Sequence, residues 1–189
     1  MKPPAGRRLD VARASTLNAK LRLDTISHFR VAASHVDGGG EESPHFSYTM
    51  TMDSPVYAEP DQSVIAVFPV TIAIEHRAAD RRVPLGELHV TVRAIYVKEP
   101  AFTTDDSSAV EDYVGIVGWM HVWPYVRAEV QNLSTKLGFP PLLLPVLLAG
   151  QTADIPVRRL DAPAPPRLGP GQRRKKAPPK KKSPSLRGK

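Results

Sequence analysis

The stretch from residue 119 to residue 148 constrains this chain most, because it joins an amphipathic helix to an apolar run that contains prolines. Five apolar residues recur there at intervals of four, four, three and four, which places them on one face of a helix. Gly138 follows at the position of a left-handed cap, and Pro140 and Pro141 prevent the helix from continuing. We expect the five residues to pack this helix against a sheet and against a partner chain: Val122, Val126, Val130, Leu133 and Leu137.

The apolar run itself, residues 142–148, carries no charge and is interrupted by Pro145. Prolines keep a chain extended and remove backbone donors from a ladder, so such side chains can line a groove instead of completing a sheet. An uncharged run of this length is buried, paired with a partner or used for binding.

Four segments upstream of the helix are predicted to be strands: residues 22–36, 45–53, 64–75 and 87–97. Apolar and polar side chains alternate along them, as in strands that cover a core with one face. Short turns between successive strands predict antiparallel pairing, with helices on the dry face. The predicted fold class is therefore α+β, with a four-stranded antiparallel sheet and helices packed on one of its faces.

Three helices are predicted around this sheet. The first is a short helix within residues 9–21, and the second covers residues 109–117 and ends near Gly118. The third is the main helix, with Pro124 in or near its first turn, where a missing N–H costs least.

The main helix and the run after it resemble the SecB family of export chaperones. In that family, an aromatic-Pro-Tyr-x-Arg helix is followed by G-x-F-P-x-L-x-L-x-P. The resemblance is close over residues 119–148 and extends as a plausible strand layout back to about Leu21. The residues that match the motif are Trp123, Pro124, Tyr125, Arg127, Gly138, Phe139, Pro140, Leu142, Leu144 and Pro145.

The resemblance implies a cytoplasmic holdase chaperone that works without ATP or any cofactor. Members of this family form homotetramers, as dimers of dimers, and keep unfolded preproteins export-competent for the SecA motor. Methionine and aromatic side chains suit such binding because they adapt to varied apolar partners, although any one of them is more often an ordinary core residue. The predicted groove consists of Phe46, Tyr48, Met50, Trp123, Tyr125, Phe139, Leu142, Leu144 and Val146.

Two departures from the family pattern favour a divergent branch. The turn after the first strand, residues 37–40, is short and glycine-rich and lacks the aromatic insert usual in the family. The C-terminal segment is basic, whereas typical members end in an acidic or neutral one. Divergent members include solitary chaperones that hold an antitoxin in toxin–antitoxin systems, so the client is either a preprotein or an antitoxin.

The net charge of +7 belongs to the C-terminal segment alone. Residues 158–189 carry twelve Lys or Arg residues against one acidic residue, whereas residues 1–157 carry 14 basic and 18 acidic residues. We therefore expect a flexible lead and short helix over residues 1–20, a chaperone domain over 21–157 and a disordered tail over 158–189.

The basic tail opens a different class of function, because clustered cations bind phosphates by releasing counterions. The tail could touch RNA or anionic lipid, although it lacks aromatic residues interleaved for base stacking. A purely structural oligomer is a third alternative. The tail residues in question are Arg173, Arg174, Lys175, Lys176, Lys180, Lys181 and Lys182.

Catalytic and metal-binding motifs are missing from the sequence. The chain has no cysteine, and its six histidines form no H-x-x-x-H or H-E-x-x-H pair. No nucleophile elbow, P-loop or dinucleotide fingerprint is present. No apolar stretch approaches the roughly 18 residues of a membrane span. The sequence therefore predicts a protein without enzymatic activity, metal, cofactor or transmembrane segment.

Overall fold

The computed structural model describes residues 8–35, 46–78, 81–148 and 151–160. The glycine-rich turn and the basic residues between 173 and 182 lie outside this part of the chain. The helices are α1 (Val11–Ser15), α2 (Ser107–Tyr113) and α3 (Trp119–Lys136), with a 3₁₀ turn at Thr104–Asp106 and a π-helical turn at Val114–Gly118. The strands are β1 (Leu21–His35), β2 (Phe46–Met52), β3 (Val56–Ala58), β4 (Ser63–Ala78), β5 (Arg81–Lys98) and β6 (Arg158–Arg159).

The strands form a mixed sheet in the order β1-β5-β4-β3-β6, and β2 pairs with β4 beside β3. All pairs are antiparallel except β3 with β6, which is parallel. The sheet therefore has six strands where four were predicted. The two additional strands are three and two residues long, too short for a periodic pattern to reveal them.

Pro69 shows how the sequence tolerates a proline inside a strand of this sheet. Along the same side of β4, β3 pairs with residues 65–67 and β2 pairs with residues 70–76. Pro69 falls between these two partners, and its carbonyl accepts a hydrogen bond from the Asp53 N–H at 3.1 Å. The missing N–H therefore lies near a break in pairing on that side, as the sequence led us to expect of a strand proline.

One face of the sheet is covered by helices and forms the core. Every second residue is buried from Val64 to Ile74 of β4 and from Leu88 to Tyr96 of β5, while the residues between them are half-buried. α3 packs mainly on β5. These alternating buried residues are Val64, Ala66, Phe68, Val70, Ile72, Ile74, Leu88, Val90, Val92, Ala94 and Tyr96.

The second and third predicted helices form one continuous helical run. Gly118, where we expected a helix to end, is helical with φ −57° and ψ −45°. A Cβ at this position would lie 2.6 Å from the ring of Phe68, so the glycine serves close packing on the sheet. Consequently, Pro124 lies inside α3 and not in the first turn of a new helix. The predicted cap at Gly138 is confirmed by its φ of +82°.

The segment before β1 is part of the core. Leu9, Ala14 and Leu17 are buried, and the Leu9 N–H donates to the Ala153 carbonyl at 2.9 Å. α1 also packs against α2, where Arg13 forms an ion pair with the fully buried carboxylate of Asp112. Within the described ranges, no helix is both long and apolar enough to cross a bilayer.

Candidate functional site

The residues after α3 turn back along the helix and lie beside it. The N–H of Leu142 donates to the hydroxyl of Ser134 at 3.1 Å, and the indole N–H of Trp123 donates to the Pro145 carbonyl at 2.9 Å. Successive residues thus contact positions progressively nearer the start of α3. This segment is extended, as its prolines predict, and we call residues 142–148 the apolar strip.

β2 borders the apolar strip on its other side. The hydroxyl of Tyr48 donates to the Leu143 carbonyl at 3.3 Å. Phe46, Met50 and Met52 are half-buried and pack against the core beneath. The strip thus spans from α3 to β2 and forms, with both, a continuous surface on the helical side of the sheet.

The nine predicted groove residues divide into three groups by exposure. Three are buried in the core: Trp123, Leu142 and Leu144. Three are half-buried: Phe46, Met50 and Phe139. Three are exposed: Tyr48, Tyr125 and Val146.

The burial of Leu142 and Leu144 limits what they can contact. Their side chains are 4% and 2% exposed, whereas that of Leu143 between them is 70% exposed. Alternate side chains of an extended segment point in opposite directions, so the strip turns one set inward and the other outward. Leu142 and Leu144 therefore belong to the floor of the surface and are not open to a partner.

Leu143 and Leu148 were missed as site residues, although both are large, apolar and more than half exposed. The period-two rule for extended segments, applied to residues 142–148, separates Leu143 from its two buried neighbours. We define the strip surface as the exposed apolar side chains of this region: Tyr48, Tyr125, Leu143, Val146 and Leu148.

The five predicted packing residues of α3 are buried mainly by other parts of the same chain. Val122, Val126 and Val130 are completely buried and Leu133 is 8% exposed, while Leu137 is half-buried against the core. The opposite side of α3 leaves Met120 exposed, together with Pro124 and Ala128 one and two turns further along. The apolar area that this chain leaves uncovered on α3 is therefore on the outer side.

A polar contact inside the core helps to seat α3 on the sheet. Nδ1 of His121 lies 3.4 Å from the Tyr96 hydroxyl, and the Tyr113 ring packs edge-on against Tyr96 with centroids 5.4 Å apart. Burial lowers the pKa of His121 and raises the pKa of Tyr113 to about 12. Burial, together with Tyr113, raises the pKa of Tyr96 as well. All three groups are therefore uncharged near neutral pH.

A separate polar cleft of about 500 Å³ lies near the end of β5 and the start of α2. Inside it, the Ser107 hydroxyl donates to Glu59 at 2.6 Å, and Lys98 Nζ lies 3.2 Å from the same carboxylate. Lys98 also sits over the Phe102 ring, 4.9 Å from its centroid. These charged groups pair with one another and act in packing. In the part of the chain that the structure describes, no group of three or more His, Cys, Asp or Glu could hold a metal ion.

Comparison with protein-family models gives no match, and no curated protein matches the sequence. Among solved structures, the chain is similar to the SecB-like chaperone Rv1957 of Mycobacterium tuberculosis, in complex with a ChAD peptide from the HigA1 antitoxin Rv1956. The TM-score is 0.60 at 18% identity, covering 72% of this chain and 97% of that one. A Streptococcus agalactiae protein of unknown function aligns with a TM-score of only 0.30 at 10% identity, covering 67% and 97%. The first likeness shows that this chain has a SecB-like α+β fold.

Proposed function

We propose that this protein is a holdase chaperone that binds unfolded, apolar segments without ATP. The observation that carries the proposal is the strip surface, where large apolar side chains stand exposed above a fully packed core. Leu143, Val146 and Leu148 are each more than 60% exposed. Side chains of this size and exposure are typical of a surface that a partner covers. The fold shared with a SecB-like chaperone supports the same function.

We propose that Leu143 and Val146 contact the client directly, with Tyr48 and Tyr125 at the sides. Trp123, Leu142 and Leu144 act from beneath, because they hold the strip against α3 and keep its outward residues in place. Phe46, Met50 and Phe139 are half-buried and complete the floor. The binding energy is hydrophobic and needs no nucleotide.

An antitoxin is our preferred client. The solved chaperone with this fold is in complex with a peptide from an antitoxin. The glycine-rich turn and the basic tail also favour a divergent branch over a general export chaperone. Preproteins delivered to the SecA motor are the alternative client. Either kind of client would be bound in the cytoplasm.

Self-association into a dimer of dimers belongs to the same proposal. β1 is 15 residues long and pairs only with β5 among the described strands. An unpaired edge of that length invites pairing with a second chain. The outer side of α3 offers further apolar area for a partner.

The proposed client binding is tested by replacing two exposed apolar side chains, one leucine and one valine, in the same variant. Leu143→Ser with Val146→Ser should weaken capture of an unfolded client at least about tenfold, because burial of each apolar side chain contributes on the order of 1 kcal/mol or more. Capture is measured as suppression of aggregation of a denatured, apolar-rich protein without ATP. The thermal midpoint should stay close to that of the unmodified protein.

Val11→Ser is the matched control, because Val11 is apolar and 50% exposed but lies on α1, outside the strip surface. It should leave client capture unchanged. Equal capture by the double variant and by this control, with both folded, would rule out the strip surface as the client site.

Binding of nucleic acid through the basic tail is a second candidate function. It rests on the charge distribution, since residues 158–189 carry twelve basic residues against one acidic residue. Clustered lysine and arginine side chains bind phosphates, with an affinity that falls steeply as salt is added. This activity is compatible with a holdase body.

A further inference from the structure

The polar cleft near the end of β5 carries more negative charge than its internal ion pair balances. Its lining includes three carboxylates, those of Glu59, Asp61 and Glu99, against the single cation Lys98. Lys98 pairs with Glu59, and both side chains are nearly buried. Asp61 is exposed and has no ion-pair partner among the described residues. The open part of the cleft is therefore acidic.

Two further carboxylates add to this charge. Glu99 pairs with Arg22 at 2.8 Å, but the Glu99 side chain is 36% exposed and its carboxylate can accept a second cation. Asp105 directly follows Thr104 of the lining, and it is exposed and without an ion pair within the described ranges. Asp61, Glu99 and Asp105 together form what we call the acidic mouth of the cleft.

Acidic residues alone would identify no ligand, but one cation of the C-terminal segment already reaches this cleft. A terminal nitrogen of Arg159 lies 3.5 Å from the carboxylate of Glu59, whose side chain is only 5% exposed. The oxygen that faces Arg159 accepts no hydrogen bond from the described residues. The guanidinium of Arg159 is therefore the group that balances this buried oxygen, and the cleft binds the first part of a strongly basic segment.

The direction of the chain at this point brings the rest of the segment to the same place. β6 runs parallel to β3, with Arg159 in register with Tyr57, and the Leu160 N–H donates to the Tyr57 carbonyl at 2.7 Å. β3 continues directly into Glu59 and Asp61 of the lining. Because the two strands run in the same direction, the chain beyond Leu160 leaves β6 toward the cleft.

We propose that the acidic mouth binds the basic C-terminal segment of the same chain, with Arg167 and residues 173–176 as its ligands. Residues 161–189 carry ten Lys or Arg residues and one acidic residue, so the charges of segment and mouth are complementary. An arginine can donate two parallel hydrogen bonds to a carboxylate such as that of Asp61. The contact with Arg159 is then the first in a series of ion pairs.

The length of the segment allows this contact within one chain. Arg167 lies seven residues beyond Leu160, which can span at most about 25 Å. A segment joined to its site by so short a connection has an effective concentration on the order of millimolar. Ion pairs too weak to hold a separate basic peptide can therefore hold this one.

This contact goes beyond the holdase function and does not depend on it. The strip surface is formed by α3, β2 and residues 142–148, none of which lines the cleft. The contact matters for the basic residues themselves, because carboxylates that occupy them compete with phosphates. RNA or an anionic membrane must then displace the segment from its own cleft, which weakens any such binding at low phosphate concentration.

The test is zero-length carbodiimide crosslinking of the full chain, which joins a lysine amine to a carboxylate in direct contact. Mass spectrometry should find Lys175 or Lys176 joined to Asp61 or Asp105 at least about fivefold more often than to Asp53, because several adjacent ion pairs favour the mouth. Asp53 is the internal control, since it is also exposed but lies before β3, at the end opposite Asp61. The preference should vanish at about 0.5 M salt, where charges are screened within a few Å.

A pair of matched double variants tests the mouth directly. Asp61→Asn with Asp105→Asn should lower crosslinking of the same lysines to Glu99 at least about fivefold, because each removes an exposed ion pair. Asp24→Asn with Asp53→Asn removes the same number of charges from exposed positions elsewhere and should leave this yield unchanged. Both variants should unfold at the temperature of the unmodified chain, which shows that the cleft itself is intact.

An equal mixture of ¹⁵N-labelled and unlabelled chains, refolded together, identifies the chain that supplies the segment. Crosslinks should join peptides of the same isotope. Crosslinks between labelled and unlabelled peptides in equal amount would overturn the proposal, because the occupant would be the segment of a second copy. The proposal also fails if Asp53 reacts as often as Asp61, if no lysine of the segment reacts with the mouth at low salt, or if both double variants give the same yield at Glu99.

Discussion

Glu59 joins four parts of the fold through one buried carboxylate. It directly follows β3, accepts a hydrogen bond from Ser107 at the start of α2, and contacts Lys98 at the end of β5. Its second oxygen lies 3.5 Å from Arg159 of β6. The side chains of Glu59 and Lys98 are only 5% and 13% exposed, so this ion pair is shielded from water.

Replacing Glu59 with glutamine should lower the free energy of unfolding by about 3 kcal/mol, because Lys98 would be left as a buried cation without a counter-charge. The measurement is urea unfolding followed by circular dichroism. Glu99→Gln is the control, because its partner Arg22 is 60% exposed and such pairs contribute about 1 kcal/mol or less. Equal losses in the two variants would contradict the special position of Glu59.

His121 makes the stability of the protein depend on pH. Burial holds its pKa below the ordinary value of 6.5, so the unfolded chain takes up a proton at a higher pH than the folded chain does. The free energy of unfolding should therefore fall as the pH drops through 6.5 toward the folded-state pKa.

The pH effect is measured as the urea midpoint between pH 7.5 and pH 5.5, in the unmodified protein and in His121→Gln. Glutamine can keep a hydrogen bond to Tyr96 but does not titrate. The midpoint of the variant should therefore change less over this range. If both proteins lose stability equally on acidification, His121 is not the group responsible.

At the scale of elements, α3 faces two environments. Its inner side is covered by the sheet of the same chain, whereas Met120 is 44% exposed on the outer side, where Pro124 and Ala128 are exposed as well. This division separates the residues that fold the chain from the residues that can join two chains.

Met120→Asp should therefore weaken self-association while the chain stays folded, because it places a charge in apolar area that a partner would cover. Molar mass from light scattering, measured over a range of protein concentrations, is the readout. Val11→Asp serves as the control, since Val11 lies on α1 and is similarly exposed, at 50%. A stable monomer in the unmodified protein would refute the proposed oligomer.

Much of this arrangement could be predicted from the sequence, because long elements carry a periodic pattern. Apolar periodicity predicts β2, β4, β5 and the inner face of α3, and the glycine at position 138 predicts the C-terminal cap of α3. β3 and β6 could not be predicted, since two or three residues have no period. The prediction that a helix ends near Gly118 was wrong, because this glycine allows α3 to pack closely on Phe68. The sequence alone does not distinguish a glycine needed for close packing from one that caps a helix.

For the candidate site, the sequence indicated which segments to consider but not which of their side chains are exposed. It named residues of the apolar strip, α3 and β2, and these segments lie beside one another in the structure. Which side chains of the strip point outward depends on how its backbone is rotated relative to the core. This orientation is fixed by hydrogen bonds from the Leu142 N–H to Ser134 and from Trp123 to the Pro145 carbonyl. These hydrogen bonds are tertiary, so no local pattern reveals them.

At the scale of the whole molecule, the body and the basic tail should be separable. β6 pairs Arg158 and Arg159 with β3, although the sequence predicts that both residues belong to the tail. The Leu160 N–H also donates to the Tyr57 carbonyl at 2.7 Å. A truncation that spares the fold must therefore end after Leu160.

Such a truncation should keep client capture near normal and abolish retention by RNA or anionic vesicles. Retention by the full chain should fade as salt rises, because the Debye length falls to about 8 Å at physiological ionic strength. Apolar capture of clients should change little. If the truncated protein no longer captures its client at moderate salt, the tail belongs to the client site.

The meeting of the first and last described segments affects how this protein is made. Leu9 and Val157 both pack at Gly115, and Leu9 is hydrogen-bonded to Ala153. A ribosome adds Leu9 long before it adds Ala153 and Val157. The nascent chain therefore holds an unfinished core, with apolar surface exposed, until residue 157 has left the exit tunnel. A protein proposed to shield unfolded chains thus exposes apolar surface of its own while it is being made.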